Sequence, residues 1–330
     1  MTDNESCRAQ RFLMLGCPTG WHADQLRSAA QARGHQFDIV PYESLAASIS
    51  TASISTALTS TANDPTTTGL GSKTAIELSG QGRLLGGYDA ILTRTMPAGS
   101  LEKITFRLAT LHAIADGLVD RVPIINPPRS LEWSIDKFAT LARLTAAGYP
   151  TPPTCVVQSR GEAIAAFDSL GGDCIVKPIF GGEGHGVMRI TDRQLAWYTF
   201  STLDQLDAVF QIQAFVPPGG RDTRLLVVGE RVFGIRRENE RCFRTNVGAG
   251  ARSKRIDVSS ELESSVLRIA RMMGLVFASV DIIDNRDGPD LFLEVNAIPG
   301  WKAAQSVIDE SIADCVIQTL QDESKKPGHE

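Results

Sequence analysis

Nothing in this 330-residue chain approaches about 20 consecutive apolar residues, so no membrane-spanning helix is expected. Residues 1–10 are polar and lack the apolar run of a signal peptide. The six cysteines (positions 7, 17, 155, 174, 242 and 315) form no Cys-x-x-Cys pair, and the five histidines are dispersed. A structural zinc site is therefore not expected, and reduced thiols in the cytoplasm are. The 33 basic residues do not outnumber the 38 acidic ones, which argues against nucleic-acid binding through overall positive charge. No Ser/His/Asp or Cys/His arrangement stands out. The loop after the first apolar run, CPTG at 17–20, lacks the G-x-G-x-x-G of a dinucleotide site. What is present is an ordinary soluble composition, 42% hydrophobic and 22% charged. The length is enough for two or more domains with a core that needs no staples.

The apolar runs at 11–16, 37–40, 88–94 and 122–126 read as strands, with helices at 22–33 and 101–116, the latter carrying Ile104, Leu108, Leu111 and Ile114 on one stripe. This alternation predicts a parallel α/β domain over 1–126. Fifteen of the 31 residues at 44–74 are Ser or Thr, which reads as a low-complexity insertion between strands. Beyond 126 a helix is expected from a Ser134 cap, with Ile135, Phe138, Leu141 and Leu144 facing inward. Strands are expected at 154–157, 174–177, 187–190, 210–215, 223–228 and 231–235, a helix at 261–273, a hairpin of 280–283 with 291–295, and a helix at 306–320. The later part is thus α+β, with lobes at 127–210 and 211–320 and a polar tail at 321–330.

Three features carry chemistry. Glu294 and Asn296 share one face of a strand, and pairing 281 with 294 leaves NRDGPD at 285–290 as the turn. That register sets Asp281 beside Glu294 among apolar neighbours, where two carboxylates need compensation and a hard divalent cation supplies it. Two carboxylates on a wet hairpin face are the simpler alternative. The second feature is CIVKPIFGGEGHGV at 174–187, whose strand–loop–strand pattern is neither a Walker loop nor a Rossmann turn. A glycine-rich hairpin of this kind lays backbone N–H groups over phosphates, and a bound phosphate accounts for Lys177 in an apolar strand. The third is charge: 221–255 holds ten basic and four acidic residues, a local +6 inside a chain of net −5. This suits a compact anion in a focused field.

From 125 to about 320 the chain resembles the ATP-grasp carboxylate–amine ligases, most closely the RimK-like glutamate ligases. The resemblance lies in IDKFATLARLTAAGYPTP, IVKPIFGGEGHGV, QIQAFV, RDTRLLVVG, FRTN, SVDII and LFLEVNAIPG. It implies an ATP-grasp fold, in which the N-terminal parallel α/β domain is followed by two α+β lobes clasping ATP. It also implies ATP and Mg²⁺ (or Mn²⁺) as cofactors. Lys137 and Lys177 then hold phosphates, with Gly182 and Gly184 in the lid. The hinge of Gln213, Ala214, Phe215 and Val216 carries adenine on its backbone, with Ala214 where the family usually has an acidic residue. Asp222 falls near the ribose. Arg237, Arg244 and Asn246 surround the phosphates and the reacting carboxylate, with Arg236 as the alternative to Arg237. Asp281, Glu294 and Asn296 are the metal ligands, and Arg224 and Arg252 face the substrate. The run GAGAR at 248–252 departs from the basic residue and glycine pair of RimK.

The resemblance implies ADP-forming amide synthesis through an acyl phosphate, on small carboxylate and amino-acid substrates, by a homo-oligomer. GWH at 20–22 and ITFRLATLHA at 104–113 are similar to the branch linked to tetrahydromethanopterin, which implies addition of L-glutamate to a small pterin-type coenzyme. Glutamylation of a protein C-terminus is the alternative, and a non-catalytic ATP-binding regulatory protein is a third.

Overall fold

A computed structural model describes residues 8–52, 73–182, 184–246, 248 and 250–326. The chain opens with β1 (Arg11–Leu15), α1 (Trp21–Ala32) and β2 (Gln36–Val40), the expected strand–helix–strand unit. Gly34 ends α1 with a φ of +75°, a conformation that glycine adopts without strain.

β3 (Leu45–Ala52), β4 (Lys73–Gly80) and β5 (Arg83–Leu84) make a small antiparallel sheet. The expectation of a loop over 44–74 is therefore corrected at both ends. β3 pairs with β4 from Leu45↔Gly80 to Ala52↔Lys73, because alternating Ser, Ile and Thr suit a pleated strand as well as a loop. The middle of that stretch, 53–72, lies outside the described residues.

β6 (Ala90–Thr93), α2 (Leu101–Ala115) and β7 (Ile124–Ile125) complete the first domain. Its sheet runs β2-β1-β6-β7, all parallel. α2 buries Arg107 and Thr110 beside Leu111 and Ile114, so its inner face is more polar than the expected stripe.

The single helix expected after Ser134 is two: α3 (Pro128–Ile135) and α4 (Lys137–Ala146). Asp136 is the cap, and its carboxylate accepts from the N–H groups of Phe138 (2.8 Å) and Ala139 (3.0 Å). Its extended backbone turns the chain. Ile135 and Phe138 are left 55% and 51% exposed, while Leu141 and Leu144 are buried as expected.

The central lobe contains β8 (Thr154–Val157), α5 (Arg160–Ser169), β9 (Cys174–Lys177), β10 (Met188–Ile190), α6 (Arg193–Gln205) and β11 (Phe210–Ala214). Its antiparallel sheet runs β10-β9-β11-β8. Both helices escaped the sequence reading. They pack a core of their own, with Phe167, Val176, Phe200, Phe210 and Ile212.

The last lobe has β12 (Arg221–Val228), β13 (Arg231–Glu238), β14 (Arg252–Ile256), α7 (Ser260–Met272), β15 (Phe277–Ile283) and β16 (Leu291–Asn296). Its sheet order is β14-β13-β12-β15-β16, antiparallel throughout. The expected helix 306–320 is replaced by α8 (Lys302–Gln305) and α9 (Ile312–Ser324), with Ser311 capping the second. α9 returns to the first domain: Val316 and Leu320 share a core with Phe12, Leu26, Phe277 and Trp301. A second shared core joins Leu13 and Ile91 to Leu225 and Val280. The first domain and the last lobe are thus welded by common packing.

Candidate active site

Three adjacent strands build one row of charge. Arg224 of β12 stands opposite Asp281 of β15, which stands opposite Glu294 of β16. Asp281 pairs with Glu294 as expected, but a bulge after Asp281 shifts the rest of the ladder to Ile282↔Phe292 and Ile283↔Leu291, and Asn285 N–H donates to Asp290 at the turn. Compensation for Asp281, which is 1% exposed, comes from arginine. Arg224 donates from Nε and Nη2 to the two carboxylate oxygens (2.8 and 2.6 Å), and Arg237 Nη2 adds a third bond at 2.9 Å. Burial alone raises a carboxyl, but the two guanidiniums outweigh it and hold Asp281 well below the usual carboxylate range.

Arg237 also grips Asp222 through Nε (2.7 Å) and Nη2 (2.5 Å), and Thr245 Oγ1 donates to the same carboxylate. Asp222, 1% exposed, is thereby turned into this network. Arg236 points elsewhere. It pairs with Asp284 and donates to Thr223 Oγ1 at 3.2 Å, so Arg237 is the one that reaches the row. Arg252 lies exposed on β14, opposite Glu238 at the far edge of the sheet, and is not brought to the row.

From the central lobe come two ammonium groups. Lys177, 7% exposed at the end of β9, donates to Gln213 Oε1 at 3.0 Å. Burial pushes its ammonium down to about 8, while the charge of Glu294 works against the fall. Lys137 opens α4 and donates to the carbonyls of Gly181 (2.7 Å) and Ile179 (3.3 Å). Its ammonium is also lowered by burial and supported by Glu294. Both lysines thus lie within the field of Glu294. Gln213 has a role that the sequence reading missed: its amide links Lys177 to Thr154 Oγ1 (2.8 Å) and fixes the lysine. At the hinge, the N–H groups of Ala214 and Phe215 are already bonded to the carbonyls of Pro153 and Asp173, both at 2.9 Å. Neither is open to a base in this conformation.

The glycine-rich segment crosses between the lobes. Gly184 has φ +73°, and a Cβ there would stand 2.6 Å from Asn246 Oδ1. Arg244 Nη2 donates to the carbonyl of Val187, which clamps the far end of the segment. Arg244 Nε is buried without a partner among the described residues. Gly182, by contrast, has open space around it.

The donor set fits a hard divalent cation. No three His, Cys, Asp or Glu side chains converge among the described residues, so no imidazole- or thiolate-rich centre is built. The two carboxylates of the Asp281–Glu294 pair and the amide of Asn296, whose Nδ2 donates to Glu294 Oε1 at 3.1 Å, bring side-chain oxygens together on adjoining strands, the donor type such a cation takes.

The RimK-like ATP-grasp domain family matches residues 134–320. The chain belongs to the RimK-like ATP-grasp family. It is 32% identical over 209 residues to the tetrahydromethanopterin:alpha-L-glutamate ligase of Methanocaldococcus jannaschii, covering 60% of this chain and 70% of that protein. It is 28% identical over 305 residues to a probable alpha-L-glutamate ligase of Sodalis glossinidius, covering 90% and 92%. Among solved structures, the ATP-grasp ligase PsnB complexed with a minimal precursor superposes with a TM-score of 0.70 at 21% identity over 96% of this chain and 99% of that one. The ATP-grasp arrangement expected from the sequence, a parallel α/β domain followed by two α+β lobes, is the one observed. No helix among the described residues is long and apolar enough to cross a membrane.

Proposed function

We propose that this RimK-like ATP-grasp protein is an ADP-forming carboxylate–amine ligase that adds L-glutamate to a small coenzyme of the tetrahydromethanopterin type. The observation that carries this reading is the Arg224–Asp281–Glu294 row, faced by two lysines from the other lobe. A phosphate-binding role explains why two ammoniums are kept partly desolvated within the field of one carboxylate. The names of relatives that match 60–90% of the chain support glutamate as the amine substrate.

A carboxylate is a poor electrophile. One of its oxygens attacks the γ-phosphorus of ATP, the bond to the β-phosphate oxygen breaks, and ADP leaves an acyl phosphate. The amine nitrogen then attacks the acyl carbon, loses a proton, and expels inorganic phosphate to give the amide. Lys137 and Lys177 hold phosphate oxygens in line. Arg244, whose Nε has no partner among the described residues, stabilises the charge that develops on the acyl oxygen in this reading. The 181–187 segment excludes water that would otherwise hydrolyse the acyl phosphate. Asp281, Glu294 and Asn296 would hold Mg²⁺, which neutralises phosphate charge when bound.

The test is ADP release from ATP, Mg²⁺ and L-glutamate with a panel of pterin coenzymes, and with peptides as competing acceptors. The reading expects ADP only with a carboxylate-bearing pterin, and a product heavier by one glutamyl residue. Turnover confined to peptides, or ATP bound without any turnover, contradicts it.

A further inference from the structure

At the carboxyl ends of the parallel strands of the first domain, a second cluster of charge stands apart from the row above. Arg94 follows β6 and is 7% exposed, and Arg107 on the inner face of α2 is 4% exposed. Neither makes an ion pair with any described carboxylate. Arg94 Nη2 donates to the carbonyl of Pro299 (3.0 Å), and its guanidinium lies over the rings of Trp301 (4.7 Å) and Phe277 (5.5 Å). Its Nη1 has no partner among the described residues. Arg107 Nη1 donates to the carbonyl of Pro97 (2.6 Å). The Tyr42 hydroxyl, just beyond β2 and 2% exposed, also lacks a partner. It is close enough to both guanidiniums to feel their charge. Two buried cations and a buried hydroxyl, with donors left over on Arg94 and Tyr42 and no described acid paired with either arginine, are costly unless an anion completes them. The place is also the crevice where open parallel sheets bind ligands, beyond the carboxyl ends of their strands. Gly16 permits the close approach: a Cβ there would stand 2.9 Å from Arg94 Cβ.

The cluster is tied to the proposed reaction site. Pro299 lies three residues past Asn296, and Phe277, Ser279 and Asp281 share one face of β15. Four residues of strand separate Phe277 from Asp281, about 13 Å. A substrate with two functional ends would need about that length to touch both places. We propose that Arg94, Arg107 and Tyr42 form a carboxylate-binding pocket for a substrate group that does not itself react, held while the reacting group sits at the Asp281–Glu294 row. The chemistry required is a carboxylate. It belongs either to the amino acid or to the acceptor, and the proposal rests on the ligase reading for its place in turnover.

The test uses Tyr42→Phe, which removes only the hydroxyl, together with Arg107→Gln and Arg94→Lys. In the ADP-release assay the pocket predicts a KM about tenfold higher for one carboxylate substrate, with kcat and the KM for ATP within about twofold. The substrate whose KM moves names the source of the carboxylate. Unchanged KM values in all three variants overturn the proposal. So does a rise in the ATP KM matched by a fall in thermal midpoint, which is the mark of a merely structural arginine. If the wild type shows no turnover, the ligase reading fails separately, and calorimetric titration with L-glutamate and with the pterin decides. Binding to wild type that is lost in Arg107→Gln supports the pocket. Equal binding to both proteins, or none to the wild type, overturns it.

Discussion

Arg224 holds Asp281 with a two-pronged grip, Nε to Oδ1 at 2.8 Å and Nη2 to Oδ2 at 2.6 Å, on neighbouring strands of one sheet. The carboxylate expected to bind a cation is thus already neutralised by protein, with Arg237 completing the balance against Asp222. Two acids and two arginines thus form one bonded set. A cation held by Glu294 and Asn296 would compete with Arg224 for Asp281.

The Arg237 side chain is 7% exposed and serves two carboxylates that are each 2% exposed. Replacing it by Met leaves Asp222 without its ion partner in a buried setting, at an expected cost of about 3–5 kcal/mol. Urea unfolding measures this. Arg236→Met is the control, because Arg236 and Asp284 have side chains 21% and 24% exposed and water screens their pair. A loss in the control as large as in Arg237→Met contradicts the assignment of the core network.

Glu294 lies half-buried and accepts from Asn296 Nδ2 at 3.1 Å, a bond that an amide oxygen also accepts. Glu294→Gln is therefore expected to keep the fold, with a thermal midpoint close to wild type. It removes the charge that both lysines face and one hard ligand, so ADP release should fall about 100-fold or more. Activity near wild type in this variant rules out Glu294 as a metal ligand.

The pairing of Asp281 with Glu294 was legible in the sequence from period-2 alternation around a short polar turn, whereas the bulge that shifts the ladder after Asp281 was not. Lys177 was legible as a cation in an apolar strand. The partners were not. Gln213 holds Lys177 across two strands, and Arg224 and Arg237 reach Asp281 through sheet pairing, contacts that no local pattern encodes. α5 hides because Ile164 and Ala165 fill the gap in its buried stripe of Ala163, Ala166 and Phe167, so the sequence reads as a short continuous apolar run with no period. Arg94, Arg107 and Tyr42 were invisible as a group, since they meet only once the parallel sheet aligns its strand ends. The Ser/Thr-rich stretch misled because composition signals low burial, whereas strand formation there needs only backbone pairing.

The 181–187 segment is expected to seat through Gly184. An alanine there faces a φ of +73°, at a cost of roughly 1–2 kcal/mol, and its Cβ would displace Asn246. The unseated segment should raise the KM for ATP about tenfold and speed proteolytic cleavage within 181–187, while the thermal midpoint hardly moves. Gly161→Ala on α5, also with open space around it and outside the segment, should behave as wild type. Equal effects at both positions exclude specific seating on Asn246.

Stability should fall on acidification through His22. Its Nε2 accepts from the backbone N–H of Trp301 at 3.2 Å, and its ring lies edge-on to the Trp301 ring, 4.2 Å between centroids. Burial, with the charges of Arg94 and Lys302, pushes the imidazole down to about 4. The unfolded chain takes up the proton near the ordinary value of about 6.5. Between these values the unfolded state binds more protons, so stability rises with pH. The contribution of the neutral ring is complete above about 6.5 and is lost as pH falls towards 4. His22→Gln cannot titrate, and an amide oxygen can take the same bond. Urea midpoints of wild type and variant, measured from pH 7.5 to 4.5, should therefore converge as the pH drops, with the wild type losing more. His35, also lowered by burial, titrates in both proteins and cancels in the comparison. Parallel curves over the whole range would show that His22 is not held neutral.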